Sequence, residues 1–105
     1  MNKYIPIRKE AVPYWFEIKL AGRIYQFEVN YYADEDYFTL DLYKNGGVIA
    51  LGEKVTYGVE LFETYRDERF PDVKITPLDR NRNKTRAGYD ELMEDVFLYV
   101  CDRDG

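Results

Sequence analysis

A chain with no histidine lacks the usual general base, the Ser-His and Cys-His nucleophile pairs and the commonest nitrogen ligand for metals. Acid–base work would then fall to paired carboxylates, since a glycosidase needs only two Asp or Glu groups flanking a bond. Two clusters offer them: Asp34, Glu35 and Asp36, and Asp67, Glu68 and Asp72. Both are runs of acids beside turn residues, the ordinary composition of a solvated loop. The residue chemistry therefore argues against an enzyme.

The stretch DRNRNKTRAGYD (79 to 90) sets Asp79, Asn81, Asn83, Thr85 and Asp90 at positions 1, 3, 5, 7 and 12 of a calcium-loop template. The match fails on its details. Lys84 stands where glycine makes the sharp turn, Asp90 is shorter than the usual bidentate Glu, and Arg80, Arg82, Lys84 and Arg86 would repel the ion. No metal and no other cofactor is expected.

Those cations form a pattern of their own. Arg80, Arg82, Lys84 and Arg86 recur at every second position, so an extended backbone would aim them to one side. On a chain of net charge −5, such a stripe reads as a docking element that sets register against an acidic neighbour. Its plain alternative is a solvated loop.

Trp15 and Tyr14, Tyr25, Tyr31, Tyr32, Tyr37, Tyr43, Tyr57 and Tyr65 could line a sugar-binding or base-stacking surface, as small barrels do. Alternation puts several of them on a core face, and the acidic charge opposes nucleic acid. Core packing and subunit contacts are the main reading.

The elements that must position these residues read as strands. YWFEIKL (14 to 20) alternates Tyr14, Phe16, Ile18 and Leu20 against Trp15, Glu17 and Lys19. AG at 21 and 22 turns the chain into RIYQFEVNYY (23 to 32), with Tyr25, Phe27, Val29 and Tyr31 on one face. After the ADED loop, YFTLDLY (37 to 43) aligns Phe38, Leu40 and Leu42. Asn45-Gly46 suits a tight hairpin turn. The arm beyond it, 48 to 57, is expected to face the core with Ile49, Leu51, Val55 and Tyr57, and Gly52 marks a bulge. Residues 58 to 72 suit a packed excursion or helical turn; VKIT (73 to 76) is a strand ended by Pro77, and VFLYVC (96 to 101) is a buried final strand. Between them, YDELME predicts one helical turn capped by Asp90. Gly58, Gly88 and Pro71 read as backbone punctuation.

At 105 residues the chain holds one core and buries roughly two thirds of its unfolded surface, so one β domain over residues 1–105 is expected. The fold class is all-β, a small antiparallel barrel or sandwich of six or seven strands with a short helical turn near the C-terminus. A single cysteine, Cys101, cannot form an intramolecular bridge. Together with an N-terminus lacking a continuous apolar run, it points to a soluble protein made in a reducing cytoplasm, with Cys101 as a small buried hydrophobe.

Several stretches carry a resemblance in their order and spacing. They are YIPI (4 to 7), FEIKLAGRIYQFEVNYY (16 to 32), YFTLDLY with its turn and LGEKV, GVELF (58 to 62), a segment ending in proline, and GYDELMEDVFLYV (88 to 100). Nearly the whole chain resembles the baseplate plug proteins of contractile phage tails and phage-tail-like bacteriocin particles. The resemblance implies a non-enzymatic structural part at the hub end of the tail tube, packed on hub, spike or tube-initiator proteins. It further implies a homo-oligomer, with a trimer favoured, in a virion or tail-like particle assembled in the host cytoplasm, without direct nucleic-acid or membrane contact. The alternative is a stand-alone β-barrel module that binds a carbohydrate or peptide.

Overall fold

Two-residue turns decide where the long strands fold back. In the computed structural model, which describes residues 3–65 and 67–102, Asn45 and Gly46 take φ of 53° and 79°. Positive φ at both positions matches the right-handed twist of the strands being joined, and Lys44 pairs directly with Gly47. Ala21 and Gly22 repeat the geometry at 52° and 81°, so Leu20 pairs with Arg23.

These turns organise β2 (Tyr14–Leu20), β3 (Arg23–Tyr32), β4 (Tyr37–Lys44) and β5 (Gly47–Lys54) into an antiparallel sheet in chain order. A second sheet has the order β1-β7-β6, from β1 (Tyr4–Ile5), β6 (Val73–Leu78) and β7 (Phe97–Asp102). The all-β expectation holds, with seven strands among the described residues, and the two sheets form an open sandwich instead of a closed barrel.

Alternation in β2 to β4 falls as its residue types dictate. Tyr25, Phe27 and Val29 of β3 and Phe38, Leu40 and Leu42 of β4 are buried, and they share a core with Ile5, Ile75 and Leu98 of the other sheet. Sealing each such side chain stabilises the fold by roughly 1.5–3 kcal/mol. Phe62, from the 55–72 connection, lies between the layers with its ring 6.3 Å from Phe27 and 5.7 Å from Phe70. The connection is therefore a packed excursion, with Leu61, Phe62 and Phe70 buried while Val59 and Tyr65 stay exposed.

The far arm of the second hairpin differs from expectation. Leu51 is 62% exposed, and Ala50 fills the core position instead. The cause is a pair of register shifts between β4 and β5, at Leu40/Leu42 and Leu42/Tyr43. Each extra residue on β5 breaks the two-residue period. Because Leu42 faces inward, its direct partner Ala50 must do so too. Gly52 does mark the irregularity: its φ is 70°, and its N–H donates to Asp41 Oδ1 at 2.7 Å.

Four further expectations are corrected. Pro77 does not end β6, which runs on to Leu78. Its carbonyl accepts from Gly58 N at 2.8 Å, on the side away from β7, so the N–H that proline lacks belongs to that outer edge. Residues 88–96 form consecutive turns instead of a helical turn. Leu92 N reaches Gly88 O at 2.9 Å and Asp95 N reaches Glu91 O at 2.9 Å, but no continuous ladder follows. Asp90 caps nothing there, because the N–H groups it would serve are taken by backbone carbonyls, Leu92 N by Gly88 O and Met93 N by Val96 O; the one helical element among the described residues is a 3-10 turn at Lys9–Ala11. The last strand is buried only over its first part, at Leu98 and Tyr99, and Cys101 is exposed.

These placements set a contrast. Leu51→Ser should change unfolding free energy by no more than about 0.5 kcal/mol, whereas Leu40→Ala should remove about 2–5 kcal/mol. Urea denaturation of both variants measures it, and a large loss at Leu51 would contradict the register described.

Candidate docking site

The basic segment begins with an acid. Asp79, 3% exposed, follows β6 directly. Its carboxylate accepts from the backbone N–H groups of Asn81 at 2.9 Å, Asn83 at 3.0 Å and Lys84 at 2.9 Å, while Arg82 N reaches Asp79 O at 2.9 Å. Burial alone would raise the Asp79 pKa, but the N–H groups of Asn81, Lys84, Asn83 and Arg82 outweigh it and leave the pKa below the usual value. The Asp79 oxygens that the calcium template would have given to an ion are spent on the loop's own backbone.

This turn overrides the extended geometry that would have aligned the cations. Arg82 sits at a φ of 62°. Arg80 lays its guanidinium 3.8 Å from the centre of the Tyr99 ring, a cation–π contact that holds it against the three-stranded sheet. Arg86 bridges Asp36 at 2.7 Å and Glu91 at 3.2 Å. Arg82 and Lys84 project from the loop as exposed residues. The fold thus keeps two of the four cations for its own contacts and leaves the other two exposed.

Asp36 is the anchor at the segment's other end, a role that its place in the Asp34–Asp36 acid cluster does not disclose. It ends the β3–β4 loop at a φ of 56°. Its carboxylate accepts from the Tyr31 hydroxyl, from Tyr89 N at 2.8 Å and from Arg86 Nη2 at 2.7 Å. The Tyr31 hydrogen bond leads, with Tyr89 N–H and Arg86 assisting against burial, in holding the Asp36 pKa down at about 2. The same hydrogen bond, together with burial and the negative charge of Asp36, pushes the Tyr31 phenol up to about 12. Tyr31, Phe38 and Tyr89 pack beneath it, with ring centres 4.7 and 5.1 Å from Tyr31. Lys9 Nζ donates to the Tyr89 carbonyl at 2.6 Å and pairs with Glu94 at 3.5 Å.

Gly88 belongs to this clamp as a close approach. A Cβ there would land on the Asp36 carboxylate, with Cγ only 2.8 Å away, and 2.9 Å from Arg86 Nη1. Nothing in the local sequence marks Asp36 and Gly88 as partners, because they are far apart along the chain.

The remaining candidates stay apart. Asp34 and Glu35 are exposed loop residues beside the committed Asp36. Asp67 pairs with its neighbour Arg69 at 2.6 Å, and Glu68 is exposed. Among the described residues, no group of three or more acids or cysteines converges as metal ligands would. A cleft of about 410 Å³ opens beside the excursion, lined by Arg23, Leu61, Phe62, Tyr65 and Phe70. Its guanidinium is occupied, since Arg23 donates to the carbonyls of Glu68 at 3.0 Å and Phe70 at 3.1 Å. The aromatic residues divide between layers: Tyr25 is buried, while Trp15, Tyr32 and Tyr65 are exposed.

The geometry thus presents two exposed cations on a braced loop and shows no assembled catalytic group among the described residues. A family model described as cyanophage baseplate Pam3 plug gp18 matches residues 2–103. The chain belongs to that family. No curated protein and no solved structure matches it. The baseplate plug family is structural, which fits a chain whose polar clusters hold loops in place. No helix among the described residues is long and apolar enough to cross a membrane.

The clamp should be visible in stability against pH. Asp36 is depressed in the folded state, so its contribution is present above the unfolded carboxylate pKa near 4 and is lost as pH falls toward 2. Tyr31 is raised, so its contribution is present below about 10 and is lost as pH climbs toward 12. Asp36→Asn should lower stability at pH 7 and shrink both limbs in denaturant titrations run across pH; unchanged limbs would count against the clamp. Gly88→Ala should cost about 1–3 kcal/mol by overpacking, read from the same titrations at pH 7.

Proposed function

We propose that this protein is the plug of a phage baseplate, seated at the hub end of the tail tube and held by contacts with hub, spike and tube-initiator proteins. The observation that carries the reading is the family match over residues 2–103. On this reading the whole chain is one domain, takes part in no reaction and works in a particle assembled in the host cytoplasm. It is present in several copies, three about the tail axis. What it contributes is a set of surfaces.

The basic loop supports the reading. Asp79 and Asp36 brace its two ends, so Arg82 and Lys84 are offered from a backbone already ordered before any partner arrives, and less freedom is lost on docking. Opposite charge across such a contact favours encounter and register. An acidic neighbour in the baseplate is the partner this loop suits.

Electron microscopy of the assembled particle tests the placement, with density for this chain expected at the tip of the tail tube. Its absence from the tail would remove the reading. Reversing the two exposed cations, Arg82→Glu with Lys84→Glu, should reduce incorporation at least tenfold, while the isolated protein melts within a few degrees of the parent. Full incorporation of that variant, measured by mass spectrometry of purified particles, would dismiss the loop as a docking element.

A further inference from the structure

The outward face of the four-stranded sheet gathers acids at its centre, although Asp41 also accepts the Gly52 N–H at 2.7 Å and Glu28 a hydrogen bond from Tyr43. Glu28 of β3 lies directly opposite Asp41 of β4, and like charges so placed repel at a Cβ separation of about 4.5–5.5 Å. Trp15 flanks Glu28 on β2, and Glu17 stands one row further along, opposite Gln26. The Tyr43 phenol shares the face; burial foremost, then the charges of Asp41 and Glu28 and a hydrogen bond with Glu28, raises its pKa. Two cations belong to the same face, at its margins: Lys19, paired with Ile24, and Lys54, which lies 4.6 Å from the centre of the Tyr37 ring.

Around that acidic centre the sheet leaves large apolar side chains uncovered. Trp15 is 63% exposed, Ile24 58%, Val48 53% and Leu51 62%. Exposed apolar side chains of this kind mark a surface that a partner can cover, and the acids between them select for a cationic one.

The protein itself offers that anchor. Arg82 and Lys84 are exposed on the loop that leaves β6. Asp79 fixes the loop to the three-stranded sheet, and its Arg86 end is tied to Asp36 and Glu91. The acidic face is turned away from that sheet, so the two charge patterns are complementary but meet only between molecules. We propose that the outer face of the four-stranded sheet receives the 80–84 loop of a second copy of this chain, with Arg82 and Lys84 over the Glu17, Glu28 and Asp41 centre.

The contact joins two different patches, so it is head-to-tail and closes into a ring if the rotation between copies allows. Strand spacing and rise give the face an extent of about 19 by 20 Å, roughly 400 Å² per side. That is about half the usual share of a standard interface, so the pair of free molecules associates weakly and is strengthened by ring closure or by neighbours. The inference rests on the reading of this chain as an assembly part.

Sedimentation velocity on the isolated protein tests it over a dilution series at low salt. The expected result is a mass that rises above the 12.6 kDa monomer with concentration and falls back when salt is added. A face variant, Glu17→Lys with Glu28→Lys, and a loop variant, Arg82→Glu with Lys84→Glu, should each stay monomeric alone. Mixed together they should associate again, because a reversed face meets a reversed loop. Near-ultraviolet circular dichroism of each variant establishes that it is folded.

A monomer at every concentration, or variants that associate as the parent does, would overturn the self-contact while leaving baseplate incorporation standing. A protein that self-associates but is missing from tail particles would leave the contact standing and remove the plug reading.

Discussion

The Asp36 carboxylate is the constraint on which the second half of the chain depends. Three donors from two distant segments converge on it: the Tyr31 hydroxyl from β3, and the Tyr89 N–H and Arg86 guanidinium from the long connection between β6 and β7. That connection has no regular element of its own, so beyond the backbone hydrogen bonds of its turns its shape rests on side-chain contacts. A charged acceptor with several donors is stronger than a neutral one, and the aromatic packing of Tyr31, Phe38 and Tyr89 beneath it keeps the donors aimed. Gly88 makes the approach sterically feasible. The clamp therefore ties the end of one sheet to the crossover of the other.

How much of this the sequence discloses depends on the range of the interaction. The first two hairpins are legible because period-two alternation and a positive-φ turn are both local. Asn45-Gly46 and Phe38, Leu40 and Leu42 fall where such rules place them. Leu51 is not legible, since its direction is set by how many residues β5 inserts against β4. A bulge at Gly52 can be suspected from glycine, but its effect on the facing of its neighbours requires the partner strand.

The connection from 79 to 96 shows the opposite failure. There, the residue types are legible as polar and cationic, but their geometry does not follow from spacing. Spacing of two gives a stripe only on an extended backbone, and Asp79 bends the backbone by drawing three of its N–H groups inward. The short-range Asx turn could have been suspected from an aspartate ahead of Asn81 and Asn83. The Asp36 pairing could not, because no local pattern links it to Arg86. Family membership, in contrast, is carried by the order of fold-specifying segments along nearly the whole chain, and that survives errors in any single one.

An assembly part must remain folded while its surface keeps features that a free protein would lose. Glu28 opposite Asp41 is such a feature: it sets like charges side by side, offset only locally by the Gly52 N–H on Asp41 and the Tyr43 hydroxyl on Glu28. Exposed Trp15 and Leu51 on the same sheet bring no compensating burial in the isolated chain. The fold tolerates them because its stability is secured elsewhere, in the layer of Tyr25, Phe27, Phe38 and Leu42 that both sheets enclose. Separating the stabilising layer from the presenting face lets surface charge change with the partner while the sandwich stays the same. The same logic explains the loop, where buried Asp79 does the folding work and Arg82 and Lys84 are left to meet whatever lies across from them.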